Sequence, residues 1–363
     1  MKIYSIARYG AIALCAAATL AQEQKPEAVY STDVKVVNVF ATVHDKGGKI
    51  VQNLTKDDFS LTDDGQPQTI KYFSRQSDLP LTLGLLVDTS MSMTNVLEEE
   101  RTASYKFFQK VMREDKDQAF VIHFDKEVEL LRDLTSSRKE LEKSLRELQT
   151  PELRRRNQSD PDAGPRRRPN VGTALYDAIL LGSDELMKKQ TGRKAIILLS
   201  DGDDFGSRTS LSTAIESAQR ADTLVYAIRM ADPGFGGGRN GRSGGGGFPF
   251  PGGGGGRRGG MGGGRGGGGR GPVPGEKRPD GKKVMERIAR ETGGAFFDVT
   301  KKDNLDKIFA RIEEELRNQY SLGFTPDKPG PDGEYRKLVL TVPKQKTLVV
   351  QTRDGYYSSA TRK

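Results

Sequence analysis

The stretch LTLGLLVDTSMSM (81–93) decides the fold, together with its counterpart KAIILLSDGDD (194–204). Each begins as an apolar run and ends on an acidic residue, Asp88 in the first and Asp201 in the second. Short runs rich in Leu, Ile and Val predict strands that are buried on both faces of a parallel sheet. Ligands of open α/β sheets gather beyond the carboxyl ends of such strands. The two acidic residues therefore mark a candidate binding edge.

Predicted strands and helices alternate from Leu79 onward. This order predicts an α/β fold with a doubly wound, mainly parallel sheet and helices on both faces. The strands are expected at 81–87, 118–124, 128–134, 194–200, 223–230 and 294–300. The helices are expected at 95–113, 137–148, 175–189, 210–221, 282–291 and 303–318. Thr173 is the expected cap of the third helix.

The regions on either side of this alternation predict strands without helices. Segment 28–78 carries four strand-like runs, including a hairpin around Asp64-Gly65, and segment 319–358 carries three more. Isolated hairpins are marginally stable in water. We therefore predict that the two flanks pair as one β-sandwich, with the α/β domain (79–318) inserted between its halves. Two independent β appendages are the alternative.

Five oxygen-bearing side chains lie in three separated segments of the α/β region. They are Asp88, Ser90, Ser92, Thr173 and Asp201. Hydroxyls and carboxylates are hard donors, which suit Mg²⁺ or Mn²⁺ better than zinc and leave Ca²⁺ open. The sequence thus predicts a divalent-cation site, with Mg²⁺ as the first choice. The alternative is plain scaffold, since DTS is common at strand ends and SDG is an ordinary turn.

The order D-x-S-x-S, a distant Thr and a strand-ending Asp resembles the metal-ion-dependent adhesion site of von Willebrand factor A domains. All five positions are filled here, in the family's order. The resemblance implies that hydroxyls and waters form most of the inner coordination sphere and that the aspartates bind directly or through water. It also implies that one coordination position stays open for an acidic group on a partner.

Motifs outside the α/β region resemble the von Willebrand factor A-related proteins described from acidobacteria. They are TKDDF, DDGQPQ, DGEYRKL and the final RDGYY. That family is defined by sequence, so no biochemical activity follows from membership. The resemblance implies an exported bacterial protein and supports the domain order.

A long apolar stretch lies near the start of the chain, at 9–18 after Lys2 and Arg8. It is shorter than the roughly 20 residues that span a membrane, and small residues follow it up to Ala21. These features predict a secretory signal over 1–21 and an exported product, periplasmic or secreted. Cys15 is the one cysteine and lies within this segment, so we expect no disulfide in the mature chain.

The net charge of +9 is concentrated in two basic segments. Segment 152–169 carries Arg triplets at 154–156 and 166–168, and segment 234–275 is Gly-rich with scattered Arg. The Gly-rich composition predicts disorder. Because segment 152–169 leads into Thr173, its triplets are expected to steer an incoming carboxylate. A solvated loop without a defined contact is the alternative. Neutralising both triplets is predicted to slow association with an acidic ligand and to spare metal affinity.

The residue inventory favours a binding protein over an enzyme. The two histidines are His44 and His123, and His123 is expected to be a hydrogen-bonded core residue. Ser90 and Ser92 lack an evident base partner of the kind that nucleophilic catalysis requires. We therefore predict a non-enzymatic, adhesion-type module that captures an Asp or Glu of a protein partner.

Two other functions stay open at this point. One is a polyanion-binding envelope protein that acts through the Arg-rich segments. The other is a metallohydrolase, for which Asp203 and Asp204 could serve as outer-sphere acids or could instead cap a loop. The scarcity of aromatic residues in the Gly-rich segment, together with the expected export, argues against nucleic acid as the partner.

Overall fold

The computed structural model describes residues 36–75, 79–150, 172–230, 280–299, 304–328 and 330–358. The expected signal segment (1–21) and the two basic segments (152–169 and 234–275) lie outside these ranges. Within them, no helix combines the length and the apolar character needed to cross a bilayer.

The strands and helices follow the order expected from the sequence, with small differences at their ends. The strands are β1 (Val37–His44), β2 (Ser60–Asp63), β3 (Gln66–Gln68), β4 (Ile70–Arg75), β5 (Leu81–Asp88), β6 (Gln118–Phe124), β7 (Val128–Thr135), β8 (Arg193–Ser200), β9 (Leu224–Arg229), β10 (Phe296–Asp298), β11 (Tyr320–Phe324), β12 (Tyr335–Thr341), β13 (Val349–Gln351) and β14 (Gly355–Tyr357). The helices are α1 (Leu97–Val111), α2 (Arg138–Glu147), α3 (Leu175–Leu180), α4 (Leu211–Arg220), α5 (Gly281–Thr292) and α6 (Leu305–Arg317). A π-helical segment, Leu181–Met187, continues α3.

The central sheet has six strands in the order β10-β9-β8-β5-β6-β7. All neighbouring strands run parallel except β7, which forms an antiparallel hairpin with β6. Strand β5 lies in the middle, and each of its residues is buried, as is each residue of β8. The expected mainly parallel sheet is confirmed, and its two most apolar strands are direct neighbours.

Helices cover both faces of this sheet. One face packs against α1, α2 and α6 through a cluster that includes Leu83, Leu85 and Phe107. The other face packs against α3, α4 and α5 through a cluster that includes Leu86 and Ile196. Successive strand residues point to opposite faces, so β5 contributes to both cores. The doubly wound architecture is confirmed.

The flanking strands form two further four-stranded sheets, ordered β13-β1-β11-β4 and β14-β12-β2-β3. Each sheet mixes strands from both ends of the chain, with Val39 opposite Leu322 in one and Leu61 opposite Leu340 in the other. One hydrophobic cluster contains residues from both sheets. The paired β-sandwich is therefore confirmed, and the alternative of independent appendages is wrong. The C-terminal flank adds four short strands, because RDGYY contributes β14.

Candidate metal centre

Asp88 ends β5 at the carboxyl edge of the central sheet. Val87 pairs with Leu199 of β8, which places Asp88 beside Ser200. The Ser200 hydroxyl donates a hydrogen bond of 2.7 Å to Asp88 Oδ2, and the Ser90 amide donates one of 2.9 Å to Oδ1. The Asp88 side chain is fully buried. Its two oxygens are thus held in fixed positions by neutral donors.

Ser90 and Ser92 follow Asp88 in a tight turn. The chain enters a short 3₁₀ helix, Met91–Met93, immediately after Ser90. This turn brings the Ser90 and Ser92 hydroxyl oxygens to 3.0 Å from each other. Three of the five predicted ligands are therefore joined through direct hydrogen bonds.

Asp201 lies next to this group, at the start of the loop that follows β8. Its Oδ1 accepts a hydrogen bond of 2.9 Å from the Asp203 amide, and the Gly202 amide donates one of 3.0 Å to the Ser200 hydroxyl. Gly202 has φ +89°, and a Cβ there would lie 2.3 Å from the Gly281 carbonyl oxygen. The glycine is required because the start of α5 packs directly against this loop.

Thr173 joins the same edge through its backbone, although it lies far away in sequence. The amides of Phe205 and Gly206 donate hydrogen bonds of 3.0 and 2.9 Å to the Thr173 carbonyl oxygen. The next residue, Ala174, donates one of 2.7 Å to the carbonyl oxygen of Asp125, just beyond β6. Thr173 is therefore fixed between the loops that follow β6 and β8, and it is buried.

The prediction that Thr173 caps α3 is wrong. The residue at the cap position is Ala174, and it makes no side-chain capping bond. Instead, Asp204 Oδ1 accepts from the Leu175 amide at 2.9 Å, and the Ser207 hydroxyl accepts from the Tyr176 amide at 3.0 Å. Asp204 thus caps the start of α3 from another loop, a role that the sequence did not predict.

Burial and charge act together on Asp88. Burial raises its pKa to about 7, and the negative charge of Asp201 adds to the rise. Hydrogen bonds from Ser90 and Ser200 oppose the shift, and no positively charged side chain of the described residues is among its main causes. Two carboxylates lie close together here without a Lys or Arg partner among the described residues. A bound cation would stabilise both in their charged forms.

A buried hydrogen-bond chain supports the loop that carries these ligands. The Thr89 amide donates a bond of 2.8 Å to the Phe124 carbonyl oxygen. The Thr89 hydroxyl lies 3.1 Å from His123 Nδ1, and His123 Nε2 lies 3.0 Å from Glu129 Oε2. His123 is buried, as expected for a hydrogen-bonded core histidine, and it ties the loop to β7.

Two residues of this edge were missed from the sequence. Ser200 directly precedes Asp201, and its position at the end of a strand was the available signal. Glu100 lies in the run Glu98–Glu99–Glu100, which suggests a solvated charged surface, yet it is fully buried, and burial, followed by the charge of Asp88, raises its pKa. Its helical spacing from Leu97 and Ala103 was the available signal.

The donor chemistry of the edge fits a hard divalent cation. Within the described ranges, no group of three or more His, Cys, Asp or Glu side chains is placed to hold a metal ion. A site here must therefore use hydroxyl oxygens together with the carboxylates of Asp88 and Asp201. Such an oxygen-only set is typical of Mg²⁺ and Mn²⁺ sites.

Residues 83–203 match the sequence model of the von Willebrand factor type A domain. This span contains all five predicted ligands. No curated protein matches the chain in sequence.

Several solved structures resemble this one. A von Willebrand factor type A protein from Catenulispora acidiphila is 12% identical, with 78% of this chain and 70% of that chain covered and a TM-score of 0.44. The conserved hypothetical protein BatB from Bacteroides thetaiotaomicron is 17% identical, with 66% and 97% covered and a TM-score of 0.39.

A third similar structure is proximal thread matrix protein 1 from the mussel byssus, solved with a zinc-occupied MIDAS motif. It is 14% identical, with 71% of this chain and 50% of that chain covered and a TM-score of 0.42. This chain therefore spans about half the length of the mussel protein.

Proposed function

Because this chain is a von Willebrand factor A domain protein, we propose that it is a metal-dependent binding module. Its cation, Mg²⁺ in the first place, would be held by Asp88, Ser90, Ser92, Thr173 and Asp201, and would capture an acidic group on a protein partner. Domains of this family are in general protein-interaction modules, and we propose the same non-enzymatic role here.

The observation that carries this proposal is the pair of uncompensated carboxylates beside a hydroxyl pair. Asp88 and Asp201 interact electrostatically, and no positively charged side chain of the described residues is among the main causes of the pKa shift of Asp88. The Ser90 and Ser92 hydroxyls, 3.0 Å apart, lie in the turn that starts at Asp88. A divalent cation would neutralise the two carboxylates and would be coordinated by the two hydroxyl oxygens.

The three hydroxyl ligands help to explain why such a cation would attract an acid. Ser90, Ser92 and Thr173 add no negative charge to the ion, and the two aspartates would neutralise it less where they act through water. Mg²⁺ also keeps several waters when few carboxylates bind it. A Glu or Asp carboxylate of a partner can replace one of those waters at the exposed side of the ion. The partner is therefore proposed to present an acidic side chain.

Selection from a displayed library of random peptides tests this function. The immobilised protein is panned in Mg²⁺ and the bound fraction is eluted with EDTA, with the Ser92→Ala variant panned in parallel. We expect the wild type to enrich peptides that carry Asp or Glu and the variant to enrich none. Enriched peptides without acidic residues would contradict the proposal.

The same selection separates the two alternatives. A polyanion-binding protein would retain its ligands in EDTA and lose them as salt increases, because screening weakens exposed charges. A metallohydrolase would show chelator-sensitive cleavage of a substrate by the purified protein. We further propose, from the segment at 1–21, that the protein acts outside the cytoplasm.

A further inference from the structure

Glu100 is an acidic residue without a partner in the interior of the protein. It lies in the first turn of α1, and its side chain is fully buried, whereas Glu98 and Glu99 are exposed. Neither carboxyl oxygen has a hydrogen-bond partner among the described residues. Buried carboxylates are normally paired with a cation or hydrogen-bonded, so this arrangement requires an explanation.

The backbone connects Glu100 to the predicted metal ligands through successive turns. The Met93 amide donates to the Ser90 carbonyl oxygen at 3.0 Å, and the Val96 amide donates to Met93 at 3.1 Å. The Glu100 amide then donates to the Val96 carbonyl oxygen at 3.0 Å. The loop that carries Ser90 and Ser92 thus continues without a break into the turn that buries Glu100.

The electrostatics of Glu100 agree with this backbone connection. Its pKa is raised well above the ordinary value, first by burial and then by the negative charge of Asp88. No Lys or Arg among the described residues contributes a compensating charge. The start of a helix favours a negative charge only modestly. Glu100 and Asp88 are therefore both buried acids without a counter-charge among the described residues. A cation between the sheet edge and α1 would supply that charge.

We propose that Glu100 is a positioning acid of the metal centre, which anchors the bound divalent cation through water from the α1 side. This inference rests on the proposed cation site and assigns Glu100 a contact through water, since no three acidic side chains of the described residues are placed to hold an ion together. Ser104, one helical turn further along the same face, contributes a buried hydroxyl that also lacks a hydrogen-bond partner among the described residues. Side chains four residues apart on a helix are neighbours, so one ordered water can contact both.

The substitution Glu100→Gln tests this role, because it keeps the shape of the side chain and removes its charge. Mg²⁺ and Mn²⁺ affinities of the full-length protein are measured by calorimetry, and thermal unfolding is followed in EDTA. We expect the affinities to fall by about 10–100-fold, as for other residues that support metal ligands. We expect the melting temperature of the metal-free protein to rise, because an unpaired buried acid is gone.

Two further variants serve as controls. Glu99→Gln removes an exposed charge from the same turn. Because that charge contributes less than burial and Asp88 to the raised pKa of Glu100, the variant should change the affinity and the melting temperature much less than Glu100→Gln. Glu100→Asp retains the charge and should lose less affinity than Glu100→Gln. The Asp variant also provides a test if the Gln variant fails to fold. Its side chain is shorter, so a Mg²⁺ affinity equal to that of the wild type would contradict a positioning role.

The outcomes are distinguishable. A Glu100→Gln protein that is more stable without metal but binds Mg²⁺ with unchanged affinity would overturn the inference and leave the cation site intact. A wild-type protein that takes up no divalent cation would overturn the proposed function itself, and this inference with it.

Discussion

Asp63 in the β-sandwich and Asp88 at the edge of the central sheet are both fully buried, yet their surroundings differ. Arg336 donates to both oxygens of Asp63, at 3.0 Å from Nε and 2.8 Å from Nη2. The Tyr356 hydroxyl adds a third bond, at 3.1 Å. Among the described residues, Asp88 receives its hydrogen bonds from Ser90 and Ser200, which are both neutral.

The comparison separates a carboxylate that is paired within the chain from one that is proposed to bind a cation. The sandwich provides a counter-charge for Asp63 from within the chain, so that pair is complete on folding. The sheet edge brings Asp88 close to Asp201, and no Lys or Arg of the described residues forms an ion pair with either. A buried acid without a counter-charge therefore distinguishes the proposed metal edge.

The largest expected effect is a loss of stability when the Asp63–Arg336 pair is broken. Arg336→Met should destabilise the protein by about 3–5 kcal/mol, because it leaves a buried carboxylate without its partner. Chemical denaturation gives the free energy of unfolding. Added Mg²⁺ should not restore the loss, since the sandwich pair is independent of the metal centre. Restoration by Mg²⁺ would mean that the two regions are coupled.

Asp88 lacks a counter-charge among the described residues, so the stability of the metal-free protein should depend on pH. A bound metal ion should reduce this dependence. The pKa of Asp88 rises from about 3.8 to about 7 on folding, so its protonated form is favoured in the folded state. The resulting stability is fully present below about pH 4 and is lost as pH rises through 7. The metal-free protein should lose about 4 kcal/mol over this window, and the raised pKa of Glu100 acts in the same direction.

Unfolding curves between pH 4 and 8, recorded in EDTA and in saturating Mg²⁺, measure this effect. The loss should shrink strongly in Mg²⁺, because a bound cation favours the charged carboxylates. Asp88→Asn should reduce the slope in EDTA. Identical profiles in EDTA and Mg²⁺ would contradict the contrast between the two aspartates.

The smallest expected effect concerns the hydroxyl that holds Asp88 in place. Ser200→Ala removes the bond to Asp88 Oδ2 and the acceptor of the Gly202 amide. We expect roughly a 10-fold loss of Mg²⁺ affinity, at the lower end of the range for such supporting residues. Ser217→Ala is the matched control, because Ser217 is equally buried and its hydroxyl has no hydrogen-bond partner among the described residues. Equal Mg²⁺ affinities in Ser200→Ala and Ser217→Ala would show that the hydrogen bond from Ser200 to Asp88 does not contribute to metal binding.

Much of this architecture was predictable, because apolar runs and their spacing report burial directly. The run 81–87 identified the central strand, and Asp64-Gly65 identified the β2–β3 hairpin. The pairing of the flanks followed from the instability of isolated hairpins. The grouping of Asp88, Ser90 and Ser92 followed from their position after a strand.

The remaining features depend on tertiary contacts that the local sequence does not report. Thr173 was expected to cap α3, but the chain brings Asp204 and Ser207 from another loop to do so. Glu100 was hidden among three consecutive glutamates, because only the packing of α1 decides which of them is buried. The domain boundaries and the metal ligands remain predictions drawn from the sequence.

Calorimetric titration of Mg²⁺ into the metal-free full-length protein, beside Ser92→Ala and Thr173→Ala, tests the central claim most directly. The structure predicts one saturable site per chain in the wild type and weaker binding in both variants, although residues 92 and 173 lie far apart in sequence. No saturable uptake by the wild type, or equal affinity in all three proteins, would contradict it.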